Sequence, residues 1–177
     1  AADAPELGRL IEALKEREFA GYTYDGADAS FELFARRALG RVPDYFAVDG
    51  FRVSTERRHN ALGELVTMSE ATVRVRVDGE RIMNVAEGIG PVDALNAALR
   101  KDLGMFSAYL QDWRLVDYKV RILTPQAGTA AVTRVMIESA DGEGRRWSTV
   151  GVSGNIIDAS FQALHDSVVF KLLREQA

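Results

Sequence analysis

The chain has 177 residues, of which 47% are hydrophobic and 27% are charged, and its formal net charge is −4. This composition is typical of a globular protein with a real core, and an acidic balance without a basic stripe argues against a nucleic-acid partner. The complete lack of cysteine excludes disulfides, thiolate metal sites and thiol nucleophiles, and it fits a reducing cytoplasm.

Two helices are predicted at the start of the chain. Residues 7–20 are charged and amphipathic, and Gly21 stands where a C-cap glycine would end the helix. Asp28 is expected to cap a second helix over residues 29–39, which a glycine and a proline then break. We expect residues 1–44 to form a small helical linker subdomain.

The rest of the chain carries one pattern twice. In each copy an alternating strand leads through Asp-Gly-Glu into a second strand and then into a helix, whose Asp-Ala pair begins at Asp93 or Asp158. With an extended stretch opening each copy, we predict an α+β fold of two βββα units over residues 45–105 and 113–177. Each sheet should be covered by its own helix on one face. Together the units would form one domain over residues 45–177.

The sequence also indicates what connects the strands and what covers the remaining face of each sheet. Residues 55–67 are polar without a strong period, so a loop or irregular connection is expected there. Helices are expected over residues 92–103 and 156–174. Some strands carry apolar side chains on both sides, so a homodimer or a second domain is expected to cover the other face of each sheet. The residues concerned are Val75, Met136, Val150 and Val152.

The strand-to-helix junction of the first copy, Gly-Ile-Gly-Pro at residues 88–91, is the best candidate for a binding site. Pro91 suits the first helical position, the glycines allow a ligand to approach closely, and the N–H groups of the first turn can hold a carboxylate. In the second copy Asn155 and Asp158 form a capping-box-like pair that occupies its own donors. A plain tight turn is nevertheless the commoner meaning of such a spacing.

Catalytic chemistry is not indicated by the remaining residues. The only two histidines, His59 and His165, have neither a nucleophile motif nor a second histidine at metal-ligand spacing. The carboxylates are scattered among arginines, which is typical of solvated ion pairs, so no metal site is predicted. The loop over residues 125–129 offers an exposed amide, although a hairpin turn is its commoner meaning. No apolar run approaches the roughly 20 residues of a membrane span.

Several stretches resemble a known family. Four segments closely resemble the C-terminal regulatory domain of the 2-isopropylmalate synthase family. They are Gly-Thr-Ala-Ala at residues 128–131, the strand and turn at 137–142, Trp-Ser-Thr-Val-Gly-Val-Ser at 147–153 and Asn-Ile-Ile-Asp-Ala-Ser at 155–160. Residues 21–33, Gly-Tyr-Thr-Tyr-Asp-Gly-Ala-Asp-Ala-Ser-Phe-Glu-Leu, are more similar to its citramalate synthase branch. Together these matches cover almost the whole chain.

The resemblance implies a domain that forms a homodimer and binds a branched-chain amino acid, isoleucine or leucine, as a feedback inhibitor. In the family a separate TIM barrel condenses acetyl-CoA with a 2-oxo acid and uses a divalent metal, so no cofactor is expected in this chain. The alternative is a purely structural dimerisation module without effector binding. The resemblance implies that the effector binds between the two βββα units at the dimer interface. The expected site residues are Gly88, Ile89, Gly90, Pro91, Asp93, Asn96, Tyr109, Ile122, Pro125 and Gln126.

Within that site, each part of a free amino acid needs its own group. The helix N–H groups that follow Gly90 would bind the carboxylate, and Asp93 or a loop carbonyl would accept from the ammonium group. Ile89, Tyr109 and Ile122 would line the apolar pocket for the side chain.

Overall fold

The computed structural model of the chain describes residues 4–175. These residues form two compact units. The first unit is Asp44–Gln111, and the second unit consists of the described residues up to Pro43 and from Asp112 onward. The elements are α1 (Ala4–Phe19), α2 (Asp28–Ala38), β1 (Ala47–His59), β2 (Leu65–Val77), β3 (Glu80–Gly88), α3 (Pro91–Lys101), β4 (Arg114–Ile122), β5 (Thr133–Ala140), β6 (Arg146–Ser153) and α4 (Ile156–Glu175), with short 3-10 segments at Gly104–Leu110 and Pro125–Ala130.

The first unit is a three-stranded antiparallel sheet, in the order β1-β2-β3, with α3 packed on one face. The alternation in β2 explains this arrangement, because from Ser69 to Val77 every second side chain is buried while the residues between them stay more exposed. The buried apolar set is Ala71, Val73, Val75 and Val77, and it packs beneath α3, whose buried residues include Leu95 and Leu99. The predicted first βββα unit is confirmed.

The expectation of a loop over residues 55–67 is wrong. β1 and β2 pair without interruption from Gly50↔Arg74 to His59↔Leu65, and a tight turn joins them. The side-chain oxygen of Asn60 accepts hydrogen bonds from the backbone N–H of Leu62 and Glu64, which fixes that turn. The outer half of the hairpin is largely exposed on both faces, so no alternation of apolar and polar residues marks it in the sequence.

The second unit contains the other antiparallel sheet, in the order β4-β5-β6, with α4 on one face. This confirms the second predicted βββα unit. A buried group of polar atoms fixes the helix on the sheet: the indole N–H groups of Trp113 and Trp147 both donate to the hydroxyl of Ser167, at 3.1 and 2.9 Å. The hydroxyl of Ser139 lies 2.6 Å from that of Ser167.

The other face of the second sheet is partly covered by the chain's own residues 21–27, which we call the strap. Ala27 packs against Val150 and Val152, and the partly buried Met136 joins this cluster together with two tyrosines of the strap. The expectation that a homodimer or a second domain covers these residues is therefore wrong for Val150 and Val152, which pack against the strap, whereas Met136 stays only partly buried. The fourth residue named for that expectation, Val75, lies on the buried face of the first sheet.

Arg17 of helix α1 contacts aromatic rings of the strap and of α2, and these contacts hold α1 on the rest of the second unit. The guanidinium of Arg17 lies 4.7 Å from the ring centroid of Tyr22 and 5.6 Å from that of Phe34, which is the geometry of a cation–π contact. The hydroxyl of Tyr22 donates to the side-chain oxygen of Gln162 in α4, at 2.6 Å. The predicted helical segment thus packs on the second βββα unit.

Asp28 does not cap α2 as expected. The helix begins at Asp28 itself, Ala27 is the N-cap, and no side chain caps the helix. The carboxylate of Asp28 instead accepts from the backbone N–H of Ser148, and the hydroxyl of Ser30 accepts from that of Val150. Both N–H groups belong to the edge strand β6, so the start of α2 occupies donors that would otherwise be open to strand pairing.

A network of charged groups joins the end of α4 to the loop between β5 and β6. The ammonium group of Lys171, which is 2% exposed, lies 2.9 Å from a carboxylate oxygen of Glu175, 3.1 Å from Asp112 and 3.6 Å from Asp141. Arg145 also pairs with Asp141 and Glu175. We call these five residues the Lys171 network.

The Lys171 network makes the second unit sensitive to acid. Burial disfavours the charge of Asp141, but hydrogen bonds from Arg145 and the charges of Arg145 and Lys171 outweigh it and lower the pKa of that carboxyl. Hydrogen bonds from Lys171 and Arg145 likewise lower the pKa of Glu175 despite its partial burial. A carboxyl whose pKa is lower in the folded state stabilises the fold above its unfolded pKa, and this contribution disappears as the pH falls through about 4 and below.

We therefore expect the urea midpoint of the second unit to fall between pH 6 and pH 3, and to fall less steeply in Asp141→Asn. Tryptophan fluorescence measures this directly, because both tryptophans of the chain, Trp113 and Trp147, belong to the second unit. Equal slopes for the wild type and Asp141→Asn would contradict the account. Asp141→Asn also lowers the midpoint at pH 6, so the slope with pH is the informative quantity.

Candidate functional site

The junction between β3 and α3 is built from backbone rather than from side chains. β3 ends at Gly88, Pro91 occupies the first turn of α3, and Gly90 is the N-cap with an extended backbone and no side-chain capping hydrogen bond. The side chain of Ile89 is 90% exposed. The backbone N–H groups at the start of α3 thus lack a side-chain acceptor at the cap position, where an anion is favoured.

The two glycines of this junction have different physical roles. A Cβ atom on Gly88 would overlap the backbone nitrogen of Ala94 and would lie 2.8 Å from both its Cα and the Asp93 carboxylate. A Cβ on Gly90 would meet nothing within 4 Å, and its φ of −140° is open to any residue. Close packing therefore requires a glycine at position 88, whereas nothing in the fold requires one at position 90.

Asp93 already has one partner within the turn. Its carboxylate accepts a hydrogen bond from the backbone N–H of Ile89, at 3.0 Å. The contact closes the loop in front of α3 and leaves the second carboxylate oxygen for another donor. A carboxylate in the first turn is also favoured by the helix dipole.

The second copy differs at the same place, as predicted in part. The side-chain oxygen of Asn155 accepts from the backbone N–H of Ile157 and Asp158, at 2.8 and 3.2 Å, so Asn155 is confirmed as a cap. The reciprocal half of the expected capping box is wrong. The Asp158 carboxylate accepts from the Gln162 amide, and the N–H of Asn155 donates to the hydroxyl of Ser153.

Two more of the expected site residues belong to the first unit. Asn96 lies on α3, and its side-chain oxygen is buried without a hydrogen-bond partner among the described residues. A buried acceptor without a hydrogen-bond partner costs free energy. Tyr109 lies in the 3-10 segment Gly104–Leu110, where its side chain is 39% exposed.

The other three expected residues belong to the second unit. Ile122 is the last residue of β4 and is 57% exposed. Pro125 and Gln126 lie on the exposed segment Pro125–Ala130, which contains 3-10 turns and is not a plain hairpin turn. The expected site residues thus form two groups, seven in the first unit and three in the second.

The sequence did not point to a groove of about 330 Å³ in the second unit, between the strap and strands β4 and β5. Basic side chains predominate in it. Detecting it from the sequence would have required the register of β4 against β5 and the position of the strap, neither of which is a local pattern. The lining residues are Thr23, Asp25, Lys119, Val120, Arg121, Arg134 and Met136.

Among residues 4–175 there is no cluster of three or more histidine, aspartate and glutamate side chains that suits a metal ion. His165 is partly buried on α4, and this burial, together with the charge of Arg37, lowers its pKa although Asp166 opposes the shift. No helix within the described range combines the length and apolar character needed to cross a membrane.

The family model of the LeuA allosteric (dimerisation) domain matches residues 25–172. The chain belongs to this family. The match covers both βββα units, and therefore both groups of expected site residues, as well as α2. It begins within the strap, at Asp25.

The chain is also similar to proteins whose names state an enzyme activity. The chain is 51% identical to an (R)-citramalate synthase of Geobacter sulfurreducens over 172 residues, and 47% identical to one of Aquifex aeolicus over 173 residues. These alignments cover 97% and 98% of the chain but 32% of each relative. A 2-isopropylmalate synthase of Aquifex aeolicus is 28% identical over 171 residues, which cover 97% of the chain and 30% of that enzyme. The chain thus spans about a third of the length of these relatives.

Proposed function

We propose that this chain is the effector-binding regulatory domain of an acyltransferase of the citramalate synthase type, that it forms a homodimer, and that it binds a branched-chain amino acid as a feedback inhibitor. The observation that carries the proposal is the uncapped start of α3 in a member of an allosteric domain family. The citramalate synthase type is favoured over the 2-isopropylmalate synthase type because identity to the former relatives is much higher.

The chemistry of the α3 junction suits a zwitterion. The N–H groups following Gly90 would donate to the carboxylate of the amino acid, as they would to any anion at a helix start. The free oxygen of Asp93 would accept from its ammonium group. Ile89 and Tyr109, both exposed, would contact its aliphatic side chain.

The proposed parent enzyme condenses acetyl-CoA with a 2-oxo acid, and for citramalate synthase this acid is pyruvate. The divalent metal of that reaction would belong to a separate catalytic barrel, because the described residues offer no suitable ligand cluster. An effector bound to this domain biases that barrel only if it binds two conformations of the protein with different affinity.

One observation favours the alternative of a purely structural dimerisation module. The close approach of α3 to Gly88 accounts for that glycine by packing alone, without any ligand. Gly90 is not explained in this way, since a side chain at that position would meet open space. Packing alone therefore accounts for Gly88, whereas Gly90 is accounted for only by the effector hypothesis.

The proposal is tested by measuring mass and binding on the same sample of the chain. We expect light scattering to give a dimer, and isothermal titration to give saturable binding of isoleucine or leucine that is much tighter than any binding of threonine. A dimer that binds neither amino acid would leave the structural module as the function. A monomer that binds neither would refute both hypotheses.

A further inference from the structure

The groove beneath the strap carries a charge pattern that the proposed effector site does not use. Arg121 of β4 and Arg134 of β5 are direct partners in the antiparallel register, so their side chains leave the sheet on the same face. Like charges at directly opposed positions destabilise a sheet. A fold that keeps two arginines there has an electrostatic cost that a bound anion would remove.

Arg134 is held in place for such a contact. Its Nε–H donates to the carbonyl oxygen of Gly21 in the strap, at 2.7 Å, which leaves the terminal nitrogens of the guanidinium for other acceptors. Burial and the neighbouring charge of Arg121 lower the pKa of Arg134. No carboxylate offsets these two effects: among the described residues neither of the two arginines forms an ion pair.

The other charges of the groove do not neutralise the two arginines. Lys119 is paired with its neighbour Asp117, at 2.7 Å, so its charge is already compensated. Asp25 of the strap is the only acidic residue in the lining. The two arginines and Asp25 together carry a formal charge of +1, which one carboxylate group would balance.

We infer that this groove binds a small organic carboxylate, whose oxygens accept hydrogen bonds from the guanidinium groups of Arg121 and Arg134. Met136 supplies an apolar side chain on the groove face for the rest of the ligand, and a volume of about 330 Å³ suits a small metabolite. Asp25 lines the same groove and would receive an ammonium group if the ligand carried one. The ligand class is therefore a small monocarboxylic acid or an α-amino acid, which share the carboxylate.

The test follows the Nε–H signals of the arginines by nuclear magnetic resonance while sodium acetate, L-alanine or sodium chloride is added at constant ionic strength. We expect saturable shifts of the Arg121 and Arg134 signals with acetate, with alanine or with both, and no saturable shift with chloride. A response to acetate alone would identify a monocarboxylate site, and a tighter response to alanine would show that Asp25 contributes. No saturable shift with either carboxylate, or equal shifts with chloride, would refute the inference.

Arg121→Gln and Arg114→Gln form a matched pair on β4. Both residues are exposed, and both variants remove one positive charge, but only Arg121 lines the groove. Arg121→Gln should weaken binding about tenfold, as expected for the loss of a charge-assisted hydrogen bond, whereas Arg114→Gln should leave it unchanged. Equal weakening by both variants would show a general charge effect and would contradict a site.

The groove is formed by residues of the second unit and the α3 junction by residues of the first unit. The two proposals are therefore tested through different residues. Failure of either experiment therefore leaves the other proposal standing.

Discussion

Replacing Gly88 by alanine should destabilise the first unit by about 3 kcal/mol, the upper part of the usual range for overpacking. The new methyl group would coincide with the backbone of Ala94 in the first turn of α3, and backbone atoms cannot move aside as the end of a flexible side chain can. The start of α3 would be displaced from β3. We also expect the effector affinity to fall, because the donors of the proposed site lie on that turn.

The stability of each unit must be measured separately, because a chain with two units need not unfold in a single two-state transition. Hydrogen exchange of peptides from β2, β3 and α3 reports on the first unit, and tryptophan fluorescence reports on the second. Gly90→Ala is the matched control, because its methyl group would meet nothing within 4 Å, so it should cost no more than about 1 kcal/mol, which comes from the poorer N-cap preference of alanine. Equal protection of β3 amides in Gly88→Ala and the wild type would contradict the packing account.

Gly90→Asp should weaken isoleucine or leucine binding by about 100-fold, corresponding to about 3 kcal/mol for lost charge-assisted hydrogen bonds. An aspartate at the N-cap would accept from the N–H groups that are proposed to hold the effector carboxylate, and its charge would repel that carboxylate. The fold itself should gain a few tenths of a kcal/mol, because aspartate is a slightly better cap than glycine. Stability and binding would thus change in opposite directions.

This opposition makes Gly90→Asp informative. A variant that merely damages the domain would lose both stability and effector affinity. An N-cap carboxylate that occupies the helix N–H groups would lower the effector affinity without lowering stability. Titration of Gly90→Asp and Gly90→Ala side by side provides the comparison, since alanine removes no donor. Unchanged affinity in Gly90→Asp would show that the effector carboxylate is not held at the start of α3.

The parts of the fold that follow local periodicity could be predicted from the sequence. The alternation of β2 and the spacing of α3 and α4 each mark a buried face, and Asn155 caps α4 through its own next residues. The outer half of the β1–β2 hairpin could not be predicted, because both of its faces are largely exposed and burial leaves no pattern there. The strap could not be predicted either, since it contacts Val150 and Val152 from more than a hundred positions away.

The same distinction applies to the candidate sites. The α3 junction is a local feature, so its glycines and Pro91 are visible in the sequence, but the different steric roles of Gly88 and Gly90 depend on where Ala94 lies. The unpartnered oxygen of Asn96 also requires the packed unit to be seen. The groove of Arg121 and Arg134 depends on strand register, which a single sequence does not provide.

Thermal unfolding of the chain with and without isoleucine, leucine or valine, at one fixed protein concentration, tests effector binding most directly. A ligand at 100 times its dissociation constant stabilises the folded state by about 2.7 kcal/mol, so the melting temperature should rise clearly with the true effector. A rise with isoleucine alone would support a citramalate synthase regulatory domain, and a rise with leucine alone would move the parent to the 2-isopropylmalate synthase type. No rise with any of the three would contradict effector binding and leave a structural dimerisation module.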